Sequence, residues 1–361
     1  KDPNLRNRTE IRQLTGQAYF SLGEYEKALP HLEYYESKTE KLTVEEFFQL
    51  GFTHYQLKKY PGAIKNFLEL NLLENKLGQQ VNYYLADSYY RTGDKVSARS
   101  AFRKVSQMDF VPSLRDEAAF NYAKLSAESG YEREAISTLL RIEASSPYYA
   151  ESQSIMNDLL AATSDYEYAM TVIEGMKNPG EKVKNTHQLA GLNYGILHLK
   201  NARTDDAMKA FDRSTKFGTN KSATAQAKYW TACILQDKGD FKRSITVMEE
   251  FLSLANGQSG LPASSSAVMG HYTQAYNYLA VNDYKNAEKS FKNALVGLNT
   301  GSKEIKDKKI LEKVWPDAMV RTGDCLFKSR KYKDALTYYN QAIDRKQGSL
   351  AYATFQKGII E

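Results

Sequence analysis

The sequence predicts an all-α protein, an α-α superhelix (solenoid) of about nine stacked helix-turn-helix units with partial units at its ends. Three observations predict it: a self-repeat every 34 to 48 residues, apolar residues spaced three and four apart within each copy, and a short polar turn halving each copy. The composition suits a folded chain. Hydrophobic residues are 42% and charged residues 25%, and 21 Gly with 8 Pro are too few for a linker or collagenous segment. Sustained period-two alternation is absent, which argues against strands.

The repeat reads as a small residue, aromatics three and four on, an aromatic nine on, Ala twelve on and a large apolar residue sixteen on. From the N-terminus it runs Gly16, Tyr19, Phe20, Tyr25, Ala28, Leu32; then Gly51, Tyr55, Tyr60, Ala63, Phe67; then Ala86, Tyr89, Tyr90, Ala98, Phe102. Weaker copies centre on Ala123/Ala135/Leu139, Asn157/Ala169/Ile173, Gly195/Ala207/Phe211 and Ala232/Ser244/Met248. Strong ones return at Ala275, Tyr278, Tyr284, Ala287, Phe291 and at Gly323, Phe327, Tyr332, Ala335, Tyr339. The second small position therefore falls at 28, 63, 98, 135, 169, 207, 244, 287 and 335, and a tenth copy breaks off after Ala351 to Glu361. Such a series makes 1–361 a single solenoid. The two long intervals place loop insertions at 255–267 and 297–314, with Trp315-Pro316 restarting a helix whose first turn tolerates the missing N–H of Pro. The small residues have a mechanical reason: antiparallel helices approach closely only beside a small side chain, and a large one from the neighbour fills the space.

On these residues the chain is identified as a member of the tetratricopeptide-repeat family, a helix-turn-helix repeat of about 34 residues. The resemblance covers essentially the whole chain and is fullest over Phe47 to Phe67 and Met319 to Ala342, while Asp2-Pro3-Asn4 resembles the end of a preceding repeat. Segments such as 117–125 and 322–327 are similar to large tetratricopeptide proteins of the Gram-negative cell envelope. That similarity alone implies a periplasmic or outer-membrane-associated location, since no signal peptide stands in the 361 residues.

The resemblance further implies a concave face lined by the first helix of each unit. Groove positions in such repeats lie three before and one after the first small residue. Carried over, they give Phe48 and Phe52, Tyr83 and Asp87, Phe120 and Lys124, Tyr229, and Tyr272 and Tyr276 as the partner-binding set. Aromatic side chains offer large, rigid contact area at low entropic cost. Packing against the next unit is an equal alternative for each aromatic taken singly; for Phe48 and Phe52, one turn apart and both apolar, burial by a partner is favoured. No groove pair combines Lys with Asn, which disfavours a receptor that clamps C-terminal carboxylates.

Other chemistries find little support. The charge balance of 49 Lys+Arg against 43 Asp+Glu is interspersed rather than gathered into a basic stripe, so nucleic acid is not an expected partner. No apolar run is long enough to span a membrane. Two cysteines, Cys233 and Cys325, neither staple a scaffold nor offer zinc spacing, and the five histidines form no metal motif. His54 and His198 occupy packing positions. Gly297 to Lys303 has the wrong spacing for a phosphate loop and Gly257 to Gly260 is no nucleophile elbow. The resulting expectation is a non-enzymatic scaffold, without cofactor or metal, that binds a protein or peptide segment on its concave face within a cell-envelope assembly. A glycan or peptidoglycan module using the Tyr-rich groove is the alternative, and the oligomeric state is left open.

Overall fold

The computed structural model describes residues 3–256, 258, 260–299, 308–344 and 350–361. Nineteen α-helices, one short 3-10 turn (Ala263–Ser265) and no strand are found among them. The helices come in pairs: α1 (Pro3–Ser21) with α2 (Tyr25–Glu36), α3 (Val44–Gln56) with α4 (Tyr60–Leu68), α5 (Lys76–Arg91) with α6 (Lys95–Ser106), and α7 (Pro112–Glu128) with α8 (Glu132–Leu139). α9 (Tyr149–Ala162) and α10 (Tyr166–Glu174) follow, then α11 (Glu181–Lys200) with α12 (Thr204–Ser214), α13 (Lys221–Asp237) with α14 (Phe241–Ala255), and α15 (Ala267–Ala280) with α16 (Tyr284–Asn299). α17 (Lys308–Lys328) pairs with α18 (Tyr332–Asp344), and α19 (Leu350–Ile360) stands after them.

The helices gather into two compact units, Lys1–Thr163 and Ser164–Glu361, where the sequence suggests one continuous stack. Within each unit every helix packs on the next in sequence, and first helices also meet across pairs: α1 on α3, α3 on α5 and α5 on α7 in the first unit, α11 on α13 and α13 on α15 in the second.

The turn inside each pair explains its own residues. The residue seven after the first small position adopts left-handed φ at Gly23 (74°), Gly93 (84°), Gly130 (79°) and Gly239 (76°), and equally at Lys58 (56°), Ala202 (56°), Asn282 (60°) and Arg330 (59°). Its amide caps the first helix, and the next residue's amide reaches back to a carbonyl five residues earlier, as Asp94 does to Tyr89 and Lys59 to His54. Ser164 occupies this register in the fifth pair and has no such φ. Side-chain caps begin the following helices: Asp94 accepts from the Ser97 amide, Asp240 from Arg243, and Thr43 with Glu46 forms a reciprocal capping box at α3.

Small residues and large ones interlock as the spacing expects. A Cβ added at Gly51 would lie 2.8 Å from Phe67, at Gly16 2.8 Å from Leu32, and at Gly323 2.6 Å from Tyr339, the large residue standing sixteen on in each case. Phe67, Phe211, Phe291 and Tyr339 are fully buried. Ser244, which departs from the Ala of the repeat, is buried too: its hydroxyl donates to the Ala232 carbonyl at 2.7 Å and accepts from the Asn277 amide group at 2.8 Å. Two buried glutamines tie a pair to the loop ahead of the next. Gln79 donates to the Met108 and Val111 carbonyls and accepts from the Val111 amide; Gln188 accepts from the Asn220 amide.

Three local expectations change. Pro316 does not open a helix: α17 starts at Lys308 and runs through it, with Trp315 and Pro316 buried, so the packing of this stretch outweighs the single lost backbone bond. The insertion at 255–267 shortens, because α14 includes Ala255 and Ser266 already caps α15. In the insertion at 297–314, helix covers 297–299 and 308–314, and 300–307 lie outside the described residues, as do Gly257, Ser259, Lys1 and Asp2. Pro3 and Asn4, read as the tail of an earlier repeat, begin α1.

Candidate functional site

In the first unit the inner faces of α3, α5 and α7 enclose a hollow of about 300 Å³ lined by Tyr55, Tyr83, Asp87, Arg91, Glu117 and Lys124 among others. Two of its tyrosines point their hydroxyls at carboxylates of the first helix of the next pair. Tyr55 Oη donates to Asp87 Oδ2 at 2.8 Å, and Tyr83 Oη donates to Glu117 Oε1. Burial, reinforced by the carboxylate that accepts the proton, pushes both phenols far above the ordinary tyrosine range. They act as fixed donors and cannot serve as bases. Arg91 stands 3.4 Å from Asp87, and Lys124 lies 5.0 Å over the Phe120 ring and 3.7 Å from Glu151.

In the second unit a larger hollow, about 630 Å³, is lined by Tyr276 and Leu279 of α15, Arg321, Asp324 and Phe327 of α17, and Tyr352 of α19. Tyr272 Oη donates to Asp317 Oδ2 at 2.8 Å and Tyr276 Oη donates to the same oxygen. Asp324 is engaged on both sides: Oδ1 accepts from Tyr339 at 2.7 Å and Tyr352 at 3.2 Å, and Oδ2 accepts from Arg321 Nη1 at 2.9 Å. The Arg321 guanidinium also lies 5.5 Å over the Tyr352 ring.

The nine sequence-predicted groove residues divide accordingly. Tyr83, Asp87, Lys124 and Tyr276 line the two hollows, and Tyr272 is half-buried beside the second. Phe120 and Tyr229 do not face an open groove. They are 5% and 4% exposed, Phe120 stacked at 5.2 Å on Tyr148, which precedes α9, and Tyr229 packed at 5.2 Å on Phe251 of the following helix α14. Phe52 is half-buried within the chain's own cluster of rings: Phe20, Tyr25, Phe48, Tyr55 and Tyr84, from three successive pairs, all lie within 6.2 Å. Phe48, stacked on Phe52 at 5.6 Å, is half-buried in the same way.

Glu117, Asp317 and Arg321 escaped the sequence reading. A signal existed: Tyr83 and Tyr272 stand three before the first small position of their units, and Glu117 and Asp317 stand six before that of the next. The same spacing twice is a contact rule between neighbouring pairs.

Elsewhere in the second unit His187 is fully buried, its Nε2 2.8 Å from Glu174 Oε1, and Arg213 Nε donates to that oxygen at 3.1 Å while Nη1 binds Glu167. Burial lowers the His187 imidazole. Burial alone would raise Glu174, but its bonds from Arg213 and His187 outweigh that and hold it below the usual carboxylate range. His54 and His198 are buried at packing positions. Cys325 is buried and Cys233 half-buried; desolvation pushes both thiols up to about 12, leaving them unreactive at neutral pH. Among the described residues no group of three His, Cys, Asp or Glu could hold a metal ion, and no helix is long and apolar enough to cross a membrane.

Profiles of the tetratricopeptide repeat match residues 80–107 and 272–349. Comparison with curated proteins gives no match. Solved structures similar to the chain include the TPR2AB-domain:pHSP90 complex of yeast Sti1 (13% identity, 76% of this chain and 98% of that one, TM-score 0.30). A C-terminal part of a TPR repeat-containing protein from Cytophaga hutchinsonii is 15% identical over 73% of this chain and 98% of that one, TM-score 0.34. A tetratricopeptide repeat protein from Parabacteroides merdae is 13% identical over 88% and 98%, TM-score 0.30.

Proposed function

We propose that the chain, whose residues 80–107 and 272–349 match tetratricopeptide-repeat profiles, is a non-enzymatic scaffold that holds a protein or peptide segment against the first-helix face of a unit. The observation that supports this most is the pair of hollows between successive first helices, each walled by half-buried aromatic rings that its own hydrogen bonds hold rigid. Rigid rings at the mouth of a preformed hollow lose little entropy on binding. The glycan alternative is weaker, since sugars stack on free ring faces and these rings are spent on their neighbours: Tyr272 and Tyr276 both meet Phe291 at steep angles, 70° and 82°.

The test is selection of a random peptide library on the whole chain, followed by photo-crosslinking of the selected peptides from a probe at Gln356 on the inner side or Thr337 on the outer helix α18. Crosslinks from 356 and not 337 support the reading. Equal crosslinking from both, or displacement of the peptides by peptidoglycan fragments, overturns it. A periplasmic or outer-membrane-associated setting is part of the proposal through the similarity of segments 117–125 and 322–327 alone; fractionation of the source cells with an antibody to the chain checks it.

A further inference from the structure

The hollow of the second unit differs from that of the first in what its charges have left to give. Asp324 spends both oxygens on Tyr339, Tyr352 and Arg321, and Asp317 receives Tyr272 and Tyr276 with Arg321 Nε 3.5 Å away. Both oxygens of Asp324 are engaged, and Asp317 Oδ1 faces Arg321. Of the cations, Arg321 already faces Asp324 at 2.9 Å and Asp317 at 3.5 Å, whereas Lys328 is open. Lys328 at the mouth is exposed, and no carboxylate among the described residues pairs with it. Arg321, roughly a third exposed, turns one edge to Asp324 and lies over Tyr352 at the wall of the hollow. Between these charges the walls are apolar: Leu279, Phe327 and the half-exposed Ile359, with the rings of Tyr276 and Tyr284. The first unit's hollow lacks this combination: Glu117 and Glu128 line it on the same helix as Lys124, and both of its cations, Arg91 and Lys124, face carboxylates, so no unpaired cation like Lys328 stands at its mouth.

We infer that this hollow anchors the partner through one large apolar side chain with an acidic residue beside it, the apolar group seated between Leu279, Phe327 and Ile359 and the carboxylate directed to Lys328 and Arg321. The inference rests on the scaffold reading above and names the chemistry of its anchor. The uncommitted charge at the mouth is the positive Lys328, so an acidic segment is drawn in, while a basic one is repelled by it. The apolar walls supply the affinity that an exposed ion pair does not.

Three fluorescein-labelled peptides test it on the whole chain by anisotropy: Gly-Ser-Asp-Leu-Phe-Asp-Gly-Ser, the same peptide with Lys for both Asp, and the same with Ser for Leu and Phe. The first should bind on the order of tenfold more tightly than either other and weaken with added salt. Lys328→Glu and Ile359→Ser, both at exposed positions that leave the core untouched, should each weaken it about fivefold or more, while Lys242→Glu, exposed on α14 and away from both hollows, changes nothing. Equal binding of the Asp and Lys peptides, insensitivity to both Lys328→Glu and Ile359→Ser, or an equal loss with Lys242→Glu overturns the anchor. Absence of saturable binding by all three peptides overturns it as well, while the random-library selection separately decides the scaffold reading.

Discussion

Four non-glycine residues, Lys58, Ala202, Asn282 and Arg330, hold the left-handed turn that glycine holds in four other pairs. For an L-residue this conformation costs about 1–2 kcal/mol, reduced for Asn, and glycine escapes it at the expense of a more flexible unfolded chain. Lys58→Gly and Arg330→Gly should therefore each stabilise the protein by roughly 0.5–1 kcal/mol, and Gly93→Ala should destabilise it by a similar amount. Urea titration followed by circular dichroism reads both, and an unchanged midpoint in all three would deny the turn its energetic role. The pattern also shows where single residues mislead. Thr92-Gly93-Asp94 announces its turn in the sequence, whereas Lys58 and Ala202 announce nothing, since the repeat enforces a conformation their own chemistry disfavours.

His187 offers a second test at this scale. Its folded pKa is lowered by burial, with Glu174 opposing and Arg213 and Lys216 adding to the shift. The unfolded chain therefore takes up the proton first as pH falls, so stability is level above about 6.5 and declines below it. His31, His54 and His271 are lowered as well, chiefly by burial, and act with the same sign. Glu174, held low, keeps its contribution until the pH falls into the carboxylate range. The melting temperature should drop from pH 7 to pH 5, and His187→Gln should flatten part of that slope. A slope unaltered by the substitution would assign the acid sensitivity to the other groups.

At the scale of elements the helix phase was legible and the neighbour was not. Spacing alone paired Gly51 with Phe67 and Gly323 with Tyr339, because both partners belong to one hairpin and local connectivity fixes them. Phe120 and Tyr229 share the register of Tyr83 and Tyr272, yet both are buried, Phe120 against Tyr148 ahead of α9 and Tyr229 against Phe251 of its own pair. Register says which way a side chain leaves its helix; what stands in front of it depends on side chains some 35 residues away, as Glu117 does before Tyr83. The interlocked pairs give an element-scale prediction. Phe67→Ala empties the space beside Gly51 and should cost about 3–5 kcal/mol, while Gly323→Leu forces Tyr339 aside and should cost about 1–3 kcal/mol. Combining Gly323→Leu with Tyr339→Ala should recover part of the loss, measured as a non-additive shift in urea midpoint; strict additivity would mean the two do not share one space.

For the whole molecule, length changed its meaning: within each unit the described residues form successive helix pairs that bury their apolar faces against their neighbours. The division at Thr163 and Ser164 was not read from the sequence, although the one pair without a left-handed turn residue lies there. Within the second unit, stability should follow position in the stack. α12 packs between α11 and α13, with Phe211 fully buried, whereas α19 packs on α18 and leaves Phe355 65% and Ile359 51% exposed. Local unfolding free energy tracks buried apolar contact, so amides of α19 should exchange with solvent well before those of α11 to α13. Phe211→Ala, at a cost of about 3–5 kcal/mol to its own pair, should then lower protection in α11, α12 and α13 while α19, already opening by its own cheaper route, keeps its wild-type exchange. Hydrogen exchange read by mass spectrometry resolves the helices, and a uniform loss across α11 to α19 would show that the unit opens as one body and not pair by pair.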